Sequence, residues 1–427
     1  MSITRNPGLR IAALTTLALV SACDRAQGPT TKGGRGDAAE ATAAHVRRPI
    51  EDRPLAAWRR DLLEIAFRGV SALPLDPHIK DRSEYQQDVV RACLELEQPV
   101  LARTWIEEVR DWRAGLLWAD YASYCAERGD RDEAGRALAL ADRISTDPDR
   151  DPNPQKWRRD RVRAAIARTW LLLGERDRAH PWMEDLEKSE LGAVSRLEAD
   201  KLPDERYDAY LAMLDEVLAT QDFERVQAAL LACTRLHDRF FDDAARRQAT
   251  EERVMTACAK LPFQIRLDLI EVLAETSVDH GDKARAKAML DQVADLMGKV
   301  KFLPQDYVEV RAHLARLRQR ARAREQARHD LEVAMAMYEQ ERARIFDILR
   351  ADALRPVAEA WHALGDRAKA LETYRRAVEE GVLNPNSRPR AEDLSKTCLS
   401  LAVNEVEPDA ALRARLVEIC EGLGHPW

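Results

Sequence analysis

One spacing recurs along this chain and limits its folding more than any other feature. A small residue stands seven positions before a polar or Gly break. A small residue follows five after it, a large apolar residue nine after it, and a small or apolar residue twelve after it. The fullest copy is Ala358, Gly365, Ala370, Tyr374 and Ala377, with Trp361, Leu364 and Asp366 around the break. Further breaks fall at Glu97, Gly129, Gly174, Gln221, Gly281 and Arg322. The position seven before is filled by Val90, Ala122, Ala167, Leu214, Ala274 and Ala315, and the position five after by Ala102, Ala134, Ala179, Val226, Ala286 and Ala327. The large apolar position holds Ile106, Leu138, Met183, Leu230, Leu290 and Leu331.

The physics follows from the spacing. Positions five, nine and twelve after the break share one helix face, and alanine there lets two helices approach to the short end of the 8–10 Å interaxial range. Gly at the break can take the left-handed conformation that closes a first helix. The next residue, Asp130, Asp282 or Asp366, can accept a backbone N–H and cap a second. Each unit is therefore an antiparallel helix pair. Alone, the pair leaves an apolar face wet, so units must stack. Composition agrees: 45% hydrophobic but only 6% aromatic residues, with 17 Gly and 19 Pro, favours an all-α chain.

These columns resemble the tetratricopeptide repeat (TPR), most closely at Ala358, Ala370, Tyr374 and Ala377. The resemblance covers residues 85–380, with half-repeats at Leu55–Leu73 and Leu399–Leu423. It implies an α-solenoid of about seven irregular TPR-like hairpins, forming one elongated domain over residues 51–427. Successive breaks lie 32, 45, 47, 60, 41 and 43 residues apart, whereas the family repeats every ~34. Insertions such as Thr146–Pro154 must lengthen helices or loops, and the longest gap is expected to carry an extra helix within Phe241–Leu261.

The N-terminus supplies a cellular address. Arg5 and Arg10 precede an apolar run, Ile11–Val20, that ends in Val20-Ser21-Ala22-Cys23. The run is too short to span a bilayer as a helix, which takes about 20 residues, but it suits a signal-peptide core. Its end resembles a bacterial lipoprotein lipobox, which implies removal of residues 1–22 and a lipidated Cys23 held at a membrane facing the periplasm. Residues 23–50 are small and polar and are expected to be a disordered linker.

Other chemistry is weakly signalled. A net charge of -7 excludes a nucleic-acid binder, whose footprint is basic. Asp147, Asp149 and Asp151 alternate like a calcium loop, but Pro152 and Arg158 stand where Gly and Glu are needed. The nine His residues lack metal-site spacing, and no nucleophile elbow or phosphate-cradling loop occurs. No catalytic residue, metal or cofactor is expected. Arg311–Arg328 holds seven arginines that walk around a helix and are expected to be solvated or paired with acids. Cys93 and Cys125 occupy equivalent points on neighbouring units, too far apart for a disulfide, and Cys398 with Cys420 could join the last two helices.

In TPR proteins the first helix of each pair lines a groove that binds peptides. Carried over by position, the groove holds Arg91, Arg161 and Arg168 early and Asp208, Asp215, Asp268, Glu271 and Glu275 in the middle. The expectation is a membrane-anchored, non-catalytic scaffold of the bacterial cell envelope that holds a protein or peptide partner. An all-helical envelope enzyme, or a regulator of one, is the competing class.

Overall fold

A computed structural model describes residues 48–200 and 202–427. Its described residues form nineteen α-helices and no strand. Nine form one set: α2 (Leu75–Glu95), α4 (Arg113–Glu127), α6 (Lys156–Leu172), α8 (Lys188–Asp200), α10 (Phe223–Arg239), α12 (Phe263–Asp279), α14 (Pro304–Arg320), α16 (Asp347–Ala363) and α18 (Ser387–Val403). Ten alternate with them: α1 (Ala57–Ser71), α3 (Pro99–Ile106), α5 (Arg131–Ser145), α7 (Arg176–Met183), α9 (Tyr207–Leu218), α11 (Ala244–Cys258), α13 (Lys283–Met297), α15 (Arg324–Glu341), α17 (Arg367–Gly381) and α19 (Ala410–Glu421).

Local chemistry makes the turns. Gly129, Gly174, Gly281 and Gly365 have φ between 76° and 82°, and Glu97, Arg322 and Glu405 reach about 60° in the same kind of turn. Each of these seven ends an even-numbered helix and leads into an odd-numbered one. The expected caps form: Asp130, Asp282 and Asp366 accept from the backbone N–H of Glu133, Arg285 and Lys369 at 3.0–3.2 Å. Packing follows the small columns. Ala102, Ala134, Ala179, Ala286, Ala327 and Ala370 are all fully buried, so each pair of helices is drawn close.

Each even-numbered helix packs on the next one, and α18 packs back on α2. The row is closed. Among the odd-numbered helices, by contrast, only α1 and α19 pack substantially on each other. A closed double layer whose touching members belong to one layer must place that layer on the inside, because the outer circumference is longer. The even-numbered helices are therefore the inner wall. Nine axes spaced 8–10 Å apart enclose a central space about 15 Å across, once helix diameters are subtracted.

The joint is made from both ends of the chain. Arg59 Nε donates to the Ala402 carbonyl at 2.8 Å, and Gly69 faces Leu394, so α1 runs antiparallel to α18. Asp61 pairs with Arg413 and Arg68 with Cys420, so α1 runs parallel to α19. One apolar core contains Leu63 and Val70 from α1 together with Leu394 and Leu401 from α18. Each such side chain contributes about 1.5–3 kcal/mol when fully buried. The terminal segments Leu55–Leu73 and Leu399–Leu423, expected to be half-repeats, therefore pack on each other.

Three expectations change. About seven pairs were expected, and nine inner helices are present. One additional pair is α18–α19, which turns at Glu405; the other lies between Gly174 and Gly281, where α8–α11 form two pairs in place of the one expected at Gln221. Their inner-to-outer turns carry no Gly or other positive-φ residue apart from the undescribed position 201, so they lack the break that marks the others. Gln221 lies at the opposite kind of turn, from α9 into α10. The helix expected within Phe241–Leu261 exists as α11, but as the outer member of a pair. An elongated groove gives way to a closed wall. The six described cysteines, including Cys398 and Cys420, are free and buried. The expected signal peptide, the expected lipidation site Cys23 and nearly all of the expected 23–50 linker lie outside the described residues. No described helix is long and apolar enough to cross a membrane.

Candidate functional site on the inner wall

Polar contacts stitch eight of the nine adjoining pairs of inner helices. Arg91 Nε donates to Asp120 at 2.8 Å between α2 and α4, and Ser123 meets Thr169 at 2.6 Å between α4 and α6. Arg161 binds Glu190 at 3.1 Å between α6 and α8, and Arg235 binds Asp200 at 2.8 Å between α8 and α10. Arg320 holds Glu275 between α14 and α12, Arg316 holds Glu359 at 2.8 Å between α14 and α16, and Lys396 holds Asp352 at 3.3 Å between α18 and α16. Tyr85 and Glu392 close the circuit between α2 and α18 at 2.6 Å.

The residues expected to line a groove divide into three groups. Arg91, Arg161, Glu271 and Glu275 lie on inner helices and are engaged by neighbours, Glu271 by His313 at 3.5 Å. Asp268, also inner, accepts from Gln264 Nε2 at 3.0 Å. Asp208 and Asp215 instead lie on the outer helix α9. Asp208 is exposed, and Asp215 is gripped by both Nε and Nη2 of Arg253 on α11, at 2.7 and 2.8 Å. That placement corrects the sequence register, which treated α9 as an inner helix because it anchored on Gln221. Arg168 alone of the early set makes no hydrogen bond or ion pair with a described residue.

Sequence reasoning missed Arg196. It lies on α8, which the sequence register skipped, and it too has no hydrogen-bond or ion-pair partner among the described residues. The usable signal was distance: about three units of TPR length fit between Gly174 and Gly281, where the breaks mark fewer. Burial, then the neighbouring guanidinium groups of Arg168 and Arg235, bring Arg196 down to about 10. Arg168 is lowered mainly by burial and further by Arg91, against the pull of Asp120 and Glu190. Opposite in sign, Asp88 on α2 is pushed up to about 6 by burial, with Glu84 and Glu392 adding and Arg91 and Lys396 opposing. All three retain partial solvent exposure, as expected of groups facing a confined, wet space.

Other candidate chemistry is tied up. Asp151 is held by Arg158 at 2.7 Å, and Asp147 turns back on the Asp149 backbone N–H at 2.9 Å. Among the described residues no three His, Cys, Asp or Glu side chains converge as a metal site. In the arginine-rich segment, Arg311 and Arg318 both bind Asp330, Arg316 binds Glu359, and Arg320 binds Glu275 and Asp279. No protein-family model, curated protein or solved structure matches this chain.

Proposed function

We propose that the chain is a lipid-anchored ring of TPR-like helical hairpins that acts as a non-catalytic scaffold in a bacterial cell envelope, holding a protein segment against its inner wall. One observation carries the reading: nine inner helices pack in a closed row whose adjoining members meet through charged side chains such as Arg91, Arg161, Arg235 and Lys396, and a ring of that size leaves about 15 Å at its centre, room for one extended chain or one helix. The small-residue columns and left-handed breaks support the TPR-like assignment. The lipobox-like run ending at Cys23 supports the address. Arg48 N donates to the Arg128 carbonyl at 3.0 Å and Arg53 N to the Glu97 carbonyl at 2.9 Å. The described chain therefore begins at the rim where inner helices pass to outer ones.

The test is photo-crosslinking in intact cells, with the crosslinker at Arg168 on the inner wall or at exposed Lys287 on α13. A discrete protein captured only from position 168, with Cys23→Ser releasing the protein from membranes, is the expected result. Equal capture from both positions, or a membrane association indifferent to Cys23, would overturn it.

A further inference from the structure

A row of guanidinium groups crosses four inner helices: Arg91 on α2, Arg168 on α6, Arg196 on α8 and Arg235 on α10. The outer two are neutralised. Arg91 donates to Asp120 at 2.8 Å, and Arg235 binds Asp200 at 2.8 Å and Asp238 at 3.0 Å. The central two, Arg168 and Arg196, have no such partner among the described residues: the acids that pull on them, Asp120 and Glu190 on Arg168 and Asp200 on Arg196, are already bound to Arg91, Arg161 and Arg235, and each also feels the repulsion of another guanidinium group. Two half-buried guanidinium groups with no hydrogen-bonded acid of their own are favoured by a further negative charge that joins them. Elsewhere on the wall basic groups are matched: Arg161, Arg316, Arg320 and Lys396 each have an acid on the adjoining helix.

We propose that Arg168 and Arg196 form a binding site for the carboxylates of an extended acidic protein segment lying along the inner wall, with Arg91 and Arg235 flanking it. The geometry favours a chain over a single small anion. Neighbouring inner helices are about 8–10 Å apart, and an extended chain advances about 3.3 Å per residue. Carboxylates three residues apart therefore meet guanidinium groups on successive helices. Arginine suits the task because its planar fork can bind a carboxylate through two parallel hydrogen bonds. This assignment rests on the scaffold reading only in taking a protein segment as the ligand.

The experiment uses the full chain and a fluorescein-labelled peptide of repeated Glu-Gly-Ser triplets, followed by fluorescence anisotropy at about 50 and 200 mM salt. Binding should weaken at the higher salt. R168Q combined with R196Q should weaken it about tenfold or more, with an unchanged or higher melting temperature, because two half-buried cations that no acid hydrogen-bonds are removed. R206E, at an exposed site outside the inner wall, should leave binding within about twofold. Equal peptide affinity for wild type and the double Gln variant overturns the site. Calorimetric binding of inorganic phosphate without peptide binding overturns the peptide assignment. Intact peptide binding by a protein that captures nothing from position 168 in cells would instead overturn the envelope scaffold, leaving the acidic-segment site standing.

Discussion

Tyr85 donates its hydroxyl to Glu392 Oε2 at 2.6 Å across a sequence separation of 307 residues. Burial first, then the Glu392 charge, holds the phenol well above its ordinary value, so it remains the donor. Burial works to raise the Glu392 carboxyl, but Lys396 and the Tyr85 bond keep it below its ordinary range. The pair therefore links charge on α18 to a hydroxyl on α2, the two inner helices that the closing joint brings together.

Closure can be tested at Gly69. A Cβ there would sit 3.0 Å from Leu394 Cδ2, with the Cys420 sulfur 3.9 Å away. Alanine asks only the end of Leu394 to shift, but the branched methyls of Gly69→Val enter a filled core. Overpacking of this kind costs about 1–3 kcal/mol, and the strain falls where α1 meets α18. The expected outcome is a lower melting temperature with a larger radius of gyration in solution scattering. An unchanged radius with unchanged melting would contradict the joint.

The local grammar of the fold was legible because it is local. Ala134, Ala286 and Ala370 are buried, and Asp130, Asp282 and Asp366 cap, as their spacing from the break requires. That grammar failed over α8–α11. With no Gly to announce the turns, Leu214, Val226 and Leu230 mimicked the small-large columns in the wrong phase while still being buried. Asp215 was assigned inward for that reason, and Arg196 was not assigned at all. Closure was beyond the pattern. Each repeat encodes contact with its neighbours, whereas the meeting of Gly69 with Leu394 depends on curvature accumulated over every pair between them.

Asp330 is the centre of an inter-helical charge cluster. Its fully buried carboxylate binds Arg311 at 2.6 Å and Arg318 at 2.7 Å, tying α15 to α14, while Arg318 reaches Asp291 on α13 at 2.9 Å. Removing one member of a buried ionic set typically costs about 3–5 kcal/mol because the remaining charge stays buried. Asp330→Asn should therefore lower the urea midpoint substantially. Arg316→Gln, on α14 beside Arg311 and Arg318 but paired with Glu359 in a more exposed setting, should cost far less. Equal shifts in the two variants would count against the cluster.

Asp88 should make the closing region more stable in mild acid. Its folded value of about 6 lies above the ordinary 3.8, so the folded chain binds this proton more readily than the unfolded chain. Its contribution is unfavourable above pH 6 and is relieved as pH falls toward 4. Asp88→Asn should raise the melting temperature at pH 7.5 and converge with wild type near pH 4. A gain of the same size at both pH values would assign the effect to something other than this carboxyl.

His237 acts in the opposite direction. Its fully buried ring on α10 has no hydrogen-bond partner at either nitrogen, and Glu251, 3.4 Å away, is already held by Arg285. Burial first, then Arg285, with Arg247 and His280 adding and Asp238 opposing, lowers it from 6.5 to about 4. Between those values the unfolded chain binds a proton that the folded chain excludes. Stability should therefore be full above pH 6.5 and decline toward pH 4, by on the order of 3 kcal/mol from this group. Urea unfolding at stepped pH should show that slope in wild type and a shallower one in His237→Gln, after correction for any constant offset. Parallel pH profiles would mean that this imidazole is not the group responsible.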